Sequence, residues 1–162
     1  LGIFHETEAG GRIAAIDKRL LVQHRKSDNC KRLETIPGIG VLGASAIVAT
    51  VPDVAVFKTG RHFAAWIGIV SREDSTGGKQ RLGPISKQGD RYLRRLLVVG
   101  AFAVLKQARA HPERYPWLTQ LLARKPAKVA AVAIANKMAR IAWAVLTNKE
   151  IYRAQPITAT PA

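Results

Sequence analysis

The residues best suited to chemistry form one short stretch near the middle of the chain: Ser75, Thr76, Gly77, Gly78 and Lys79. A serine just ahead of paired glycines can present its hydroxyl with little steric cover, and nearby cations can hold a phosphodiester during an in-line displacement. The cations available there are Lys79, Arg81 and Lys87. A serine needs a base or a metal that lowers the cost of losing its proton, and the sequence shows neither. Taken alone, Ser75 is more often a capping or surface serine than a nucleophile.

Other kinds of site are poorly supported. The four histidines are scattered without the spacing of a zinc site, and the acids Asp53, Glu73, Asp74 and Asp90 form no recognisable metal-binding set. The Gly-Gly-Lys at 77–79 lacks the longer spacing of a nucleotide-hydrolase phosphate loop. A single cysteine, Cys30, excludes an internal disulfide and fits a reducing cytoplasm.

The charge balance points to a polyanionic partner. The chain has 162 residues with 26 Lys and Arg against 11 Asp and Glu, a formal net charge of +15. Neutralising phosphates releases counterions, so this excess favours nucleic-acid binding over a merely solvated basic surface or a ribosomal-type protein. With 48% hydrophobic residues the chain should fold rather than stay disordered.

The backbone of Gly38, Ile39 and Gly40 is a second candidate for phosphate contact. Pro37 and Gly38 end one helix and another starts at Val41, so a Gly-x-Gly turn places free amides at the start of a helix. We expect the Ile39 side chain to turn into the core between the two glycines. The pattern resembles the helix-hairpin-helix motif of DNA-binding proteins, and the alternative is a tight turn that only packs.

A third candidate is the start of a long helix after Asp90, a plausible N-cap. Its apolar face has helical spacing, and Arg91, Arg94 and Arg95 lie on or beside the opposite face. Cations at the positive end of a helix dipole cost stability unless an anion is bound, so they indicate phosphate; an arginine-rich face without a ligand is the alternative.

The elements that position these residues predict an all-α protein with a basic functional loop over residues 71–89. We predict a solvent-exposed helical arm at 1–32, which packs on another chain or is a frayed terminal helix, a DNA-binding domain at 33–150 and a loose tail at 151–162. Within the domain, a short apolar helix should end at Gly68, and the last helix, from Ala127 to about Leu146, is rich in small residues, which favours close helix packing. The longest apolar runs, near 96–105 and 129–134, are too short to span a membrane. A start at Leu1, with Met138 as the single methionine, suggests a piece of a longer protein.

Several of these motifs occur in an order that resembles the carboxy-terminal domain of IS110/IS116/IS902 transposases. They are Ile36-Pro37-Gly38-Ile39-Gly40, Gly60-Arg61 before Ala64-Ala65-Trp66-Ile67-Gly68, Ser75-Thr76-Gly77-Gly78-Lys79, and Ile85 through Arg94. The resemblance runs from about Leu33 to Leu146, and it favours a nucleophile over a capping or surface serine at Ser75.

The resemblance implies strand transfer during transposition of an insertion sequence, guided by an RNA transcribed from the element. It implies that Ser75 becomes covalently joined to DNA, with Thr76 as the second candidate, and that Mg²⁺ is bound by an acidic amino-terminal domain of RNase H type. This sequence lacks that domain, so we expect it to be inactive alone and to act in a homo-oligomer. A non-enzymatic DNA- or RNA-binding module and a decayed transposase fragment remain alternatives.

Overall fold

The computed structural model describes residues 3–73 and 82–153, and these form seven α-helices and one small antiparallel sheet. The helices are α1 (Ile3–Lys26), α2 (Asp28–Glu34), α3 (Val41–Thr50), α4 (Gly60–Ile67), α5 (Arg91–Ala110), α6 (Pro116–Arg124) and α7 (Ala127–Asn148), and the strands are β1 (Ser71–Glu73) and β2 (Leu82–Ile85). The predicted helical architecture is therefore confirmed, with one addition in the middle of the chain.

That addition corrects the prediction for residues 71–89. We predicted an irregular loop, but β1 and β2 pair antiparallel, with Ser71 opposite Ile85 and Glu73 opposite Leu82. These short strands have little alternation of apolar and polar residues, which is the signal that usually reveals a strand. Residues 74–81 connect the two strands and lie outside the described residues.

Local signals explain where α4 begins and ends and where α5 begins. Thr59 caps α4 by accepting a hydrogen bond from the His62 amide, and Asp90 caps α5 by accepting one from the Leu93 amide at 2.7 Å. Helix α4 ends at Gly68, whose φ of 82° is left-handed backbone that glycine adopts readily. The predicted N-cap at Asp90 and the predicted helix end at Gly68 are both confirmed.

Helix α7 forms the centre of the core and packs against α2, α4, α5 and α6. Its buried face is rich in alanine: Ala130, Ala131, Ala135, Ala139 and Ala142. Small side chains allow neighbouring helices to approach closely, as the sequence predicts. The helix is long and apolar enough to cross a membrane by length and composition alone, yet half of its most apolar window is buried inside the protein. That burial is typical of the core helix of a globular protein.

Two side chains of α7 also bind carbonyl groups far away in the sequence. The Asn136 side chain donates to the carbonyl of Ile69 at 3.3 Å, and the Trp143 indole donates to the carbonyl of Phe57 at 3.0 Å. These bonds satisfy two carbonyls that lie just before and just after α4.

The two ends of the described chain are held differently. Ile13 and Ile16 of α1 are 60% and 63% exposed, which agrees with a predicted solvent-facing helix, whereas His24 near its end is buried beside Glu34. Helix α2 crosses the predicted boundary at residue 33, and its Cys30 belongs to the core. Residues 151–153 begin the predicted tail, and there Tyr152 donates its amide to the Thr35 hydroxyl at 2.8 Å. Residues 154–162 lie outside the described part.

Candidate nucleic-acid interface

The two glycines of the turn between α2 and α3, Gly38 and Gly40, lie in different environments. Ile39 is only 4% exposed, so its side chain lies in the core as predicted. Gly40 is exposed and precedes the first residue of α3, with no side chain capping that helix. A β-carbon added at Gly40 would meet no atom within 4 Å. The first turn of α3 is therefore accessible to an anion, as a phosphate contact requires.

Gly38 instead faces inward, where it contacts the middle of α5. A β-carbon added at Gly38 would lie 2.8 Å from the carbonyl oxygen of Gly100, and one added at Gly100 would lie 1.9 Å from the carbonyl oxygen of Gly38. Gly38 also has a φ of 88°. Packing thus explains Gly38 without a ligand, and Gly40 is the glycine that a ligand can reach.

The segment that joins β2 to α5 lies against the end of α4. Lys87 donates its amide to the carbonyl of Gly68 at 3.2 Å, and Gly89 approaches so closely that a β-carbon there would lie 1.8 Å from the carbonyl oxygen of Trp66. Lys87 is exposed. The sheet, Lys87 and the start of α5 are consequently fixed to one another through α4.

The three arginines at the start of α5 do not share one environment. Arg91 and Arg95 are exposed and form no ion pair with any described residue. Arg94 is half-buried and donates from its guanidinium to the carbonyl of Ile67 at 2.9 Å, at the end of α4. Arg94 thus joins α5 to α4, while Arg91 and Arg95 are available to a ligand.

The comparison with known families concerns the part of the chain that holds these features. The family model described as Transposase IS116/IS110/IS902 family matches residues 30–116, more than half of the chain.

The chain belongs to the IS116/IS110/IS902 transposase family.

Three curated relatives have similar sequences over most of this chain. It is 50% identical over 143 residues to the "Probable family 20 transposase" of Pseudomonas aeruginosa, covering 88% of this chain and 42% of the relative. It is 39% identical to the transposase for insertion sequence element IS1111A of Coxiella burnetii, covering 87% and 39% respectively. For the transposase of insertion sequence element IS1328 of Yersinia enterocolitica the identity is 39% and the coverage 86% and 42%. The chain spans about two fifths of the length of these relatives.

The candidate nucleophile of this transposase-family chain lies outside the described residues. Ser75 and Thr76, together with Lys79 and Arg81, belong to the connection between β1 and β2. The pairing of Glu73 with Leu82 fixes where that connection starts and ends. The roles predicted for these four side chains stay predictions.

The described residues offer no site for a metal. Within 3–73 and 82–153, no three or more His, Cys, Asp or Glu side chains lie together in a way that could hold an ion.

Sequence reasoning missed a basic groove. It is formed by the start of α4, by Trp117 of α6 and by α7, and its volume is about 690 Å³. Arg61, Lys137 and Arg140 line it together with Trp117 and Trp143. The spacing of Lys137 and Arg140 on one side of α7 was the available signal, but Trp117 belongs to a different helix and its proximity follows only from the tertiary fold.

Proposed function

We propose that this chain is the DNA-binding, serine-bearing part of an IS110-type transposase and that it takes part in strand transfer when an insertion sequence moves. The observation that carries the proposal is the family match over residues 30–116, which spans the turn at Gly40, the sheet and the start of α5. We propose that this part is the carboxy-terminal one of the full-length protein.

Exposed cations at the start of α5 support the DNA contact. Arg91 and Arg95 have no carboxylate partner among the described residues, and they lie at the positive end of a 20-residue helix. Phosphate would relieve that unfavourable arrangement. Lys87 and the free amides after Gly40 would add backbone contacts, which position a duplex without reading its sequence.

The chemistry that we propose is a serine-mediated exchange of phosphodiesters. The Ser75 hydroxyl oxygen attacks a DNA phosphorus atom and a serine–phosphate ester forms, while the bond from phosphorus to one deoxyribose oxygen breaks. The proton lost by the serine hydroxyl is balanced by the proton that the leaving deoxyribose oxygen gains. A hydroxyl of another strand end then attacks the ester, which restores the serine and joins the strands. Thr76 is the second candidate for this role.

The remaining components are proposals from the family. They are a guide RNA, a homo-oligomeric assembly in the cytoplasm, and an amino-terminal domain that binds Mg²⁺. If that domain is required, this chain alone binds DNA and does not recombine it.

The experiment that tests the nucleophile joins this chain to a family amino-terminal domain and supplies guide RNA, Mg²⁺ and labelled target DNA. We expect a denaturant-resistant protein–DNA adduct that maps to Ser75 by mass spectrometry. Ser75→Ala should abolish the adduct and leave DNA affinity nearly unchanged, whereas the matched variant Ser71→Ala in β1 should retain it. Intact DNA binding without any adduct would favour a non-enzymatic binding module or a decayed transposase.

The DNA contact is tested separately with this chain and a labelled duplex. Each phosphate contact that is lost should reduce the slope of log affinity against log salt by about 0.9. We expect that reduction for Arg91→Gln and for Arg95→Gln. Arg109→Gln, an exposed arginine in the last turn of the same helix, is the matched control. Equal effects at all three arginines would mean that the charge acts without a defined contact.

A further inference from the structure

The groove between α4, α6 and α7 combines the two kinds of group that single-stranded nucleic acid requires. The groove has a volume of about 690 Å³ and is largely open to solvent. Its charged lining residues are all cationic: Arg61, Lys137 and Arg140. None of the three pairs with a carboxylate of any residue that the structure describes. The groove thus carries three positive charges that no carboxylate of the described residues neutralises.

The exposed indole of Trp117 lies beside these cations. Trp117 is 45% exposed, and the Lys137 ammonium lies 4.6 Å from the centre of its ring. Pro116 begins α6, so Trp117 is held in the first turn of a helix. A large apolar side chain so placed contributes little to the core, but it offers a flat surface on which an unpaired base can stack.

The walls of the groove are fixed before any ligand arrives. The indole of Trp143 is tied to the carbonyl of Phe57, and Gly60 contacts α7 so closely that a β-carbon there would lie 3.1 Å from the Arg140 backbone. Arg61 and Arg140 therefore project from helices that are already packed together, which lowers the entropy lost on binding.

We propose that this groove binds a single strand of nucleic acid, with a base stacked on Trp117 and the backbone phosphates held by Arg61, Lys137 and Arg140. Duplex bases are already stacked on each other and cannot use the indole, so the site should distinguish single strands from duplexes. The proposal rests on the proposed nucleic-acid function, but it assigns a second set of residues, which includes neither Gly40 nor the arginines at the start of α5.

The test uses the complete 162-residue chain. Fluorescence anisotropy measures its affinity for a labelled oligothymidylate and for a blunt duplex of the same length over a range of salt concentrations. We expect Trp117→Ala to weaken single-strand binding by about fivefold to tenfold, from the loss of one stacked base, and to leave duplex binding within about twofold. Trp117→Phe should retain most of the single-strand affinity because it retains an aromatic face. Phe102→Ala is the matched control, since Phe102 is exposed to the same extent, at 44%, on α5.

The charge is tested with Lys137→Gln against Lys106→Gln, an exposed lysine of α5. Lys137→Gln should reduce the salt slope for the single strand by about 0.7, and Lys106→Gln should not. Circular dichroism and thermal unfolding of each variant exclude loss of fold as the cause.

The outcomes separate this proposal from the proposed function. If Trp117→Ala changes single-strand and duplex affinity equally, or changes neither, the groove is not a single-strand site. Duplex binding that depends on Arg91 and Arg95 would in that case still support the proposed DNA contact. If the chain binds neither probe, both proposals fail. A selective loss of single-strand binding in Trp117→Ala that is absent from Trp117→Phe would establish the groove as a single-strand site.

Discussion

The contact between the α2–α3 turn and α5 makes one substitution unusually informative, Gly100→Ala. Gly100 lies inside a 20-residue helix, where alanine is favoured over glycine by about 1 kcal/mol, so helix propensity alone predicts stabilisation. Packing predicts the reverse. The new β-carbon would lie 1.9 Å from the Gly38 carbonyl oxygen and 3.2 Å from the Met138 methyl carbon.

Both groups in the closest contact are backbone, so neither can rotate away. To reach even 3.0 Å, α5 and the turn must separate by about 1.1 Å, the difference between 3.0 and 1.9 Å. Overpacking of this kind costs about 1 to 3 kcal/mol, and rigid backbone on both sides places it near the upper value. After subtracting about 1 kcal/mol of helix propensity, we expect a net loss of about 2 kcal/mol, or a fall of about 4 to 8 °C in Tm for a domain of this size.

The assay is urea and thermal unfolding followed by circular dichroism, with Gly43→Ala as the matched control. Gly43 also lies within a helix, but its added β-carbon would meet only the Ile39 side chain, at an ordinary 3.5 Å. That variant should be more stable than the parent by up to about 1 kcal/mol. A Gly100→Ala protein as stable as Gly43→Ala would show that the turn and α5 do not pack as described.

Three further substitutions test individual contacts. Arg94→Gln should lower the free energy of unfolding by about 1.5 to 3 kcal/mol, because it removes a charge-assisted hydrogen bond. The exposed Arg95→Gln should change that free energy by less than about 0.5 kcal/mol. Equal effects of the two variants in urea denaturation would contradict the structural role of Arg94. Asp90→Ala removes the cap of α5 and should destabilise by about 0.5 to 2 kcal/mol, which Asp90→Asn should largely restore. Trp143→Phe leaves the carbonyl of Phe57 without its indole donor and should cost about 1 to 3 kcal/mol, and an unchanged Tm would show that water replaces the indole.

The helices were predictable from the sequence because their signals are local. Caps such as Asp90, helix ends such as Gly68 and the apolar spacing of α5 act within a few residues, and each was confirmed. The buried position of Ile39 was predictable for the same reason, since a Gly-x-Gly turn leaves its central side chain only one direction away from solvent.

The parts that could not be predicted depend on contacts between distant residues. The amide of Ser86 binds the carbonyl of Val70, just before β1, and the amide of Lys87 binds the carbonyl of Gly68 at the end of α4. The short strands themselves show no alternation of apolar and polar residues that would predict the sheet. Arg94 was grouped with Arg91 and Arg95 because all three follow Asp90, yet which of them meets the end of α4 depends on how two helices cross. The groove at Trp117 likewise combines α4, α6 and α7, which are far apart in the sequence.

The central position of α7 determines when the chain can fold during synthesis. The family-matched segment, residues 30–116, leaves the ribosome before α7 does, and until then the faces of α4 and α5 that α7 covers remain exposed to water. The amide of Tyr152, which reaches back to Thr35, is made later still. The apolar faces of α4 and α5 that contact α7 can be buried only after α7 has been synthesised, so the packing of the family-matched segment is completed by residues that lie outside it.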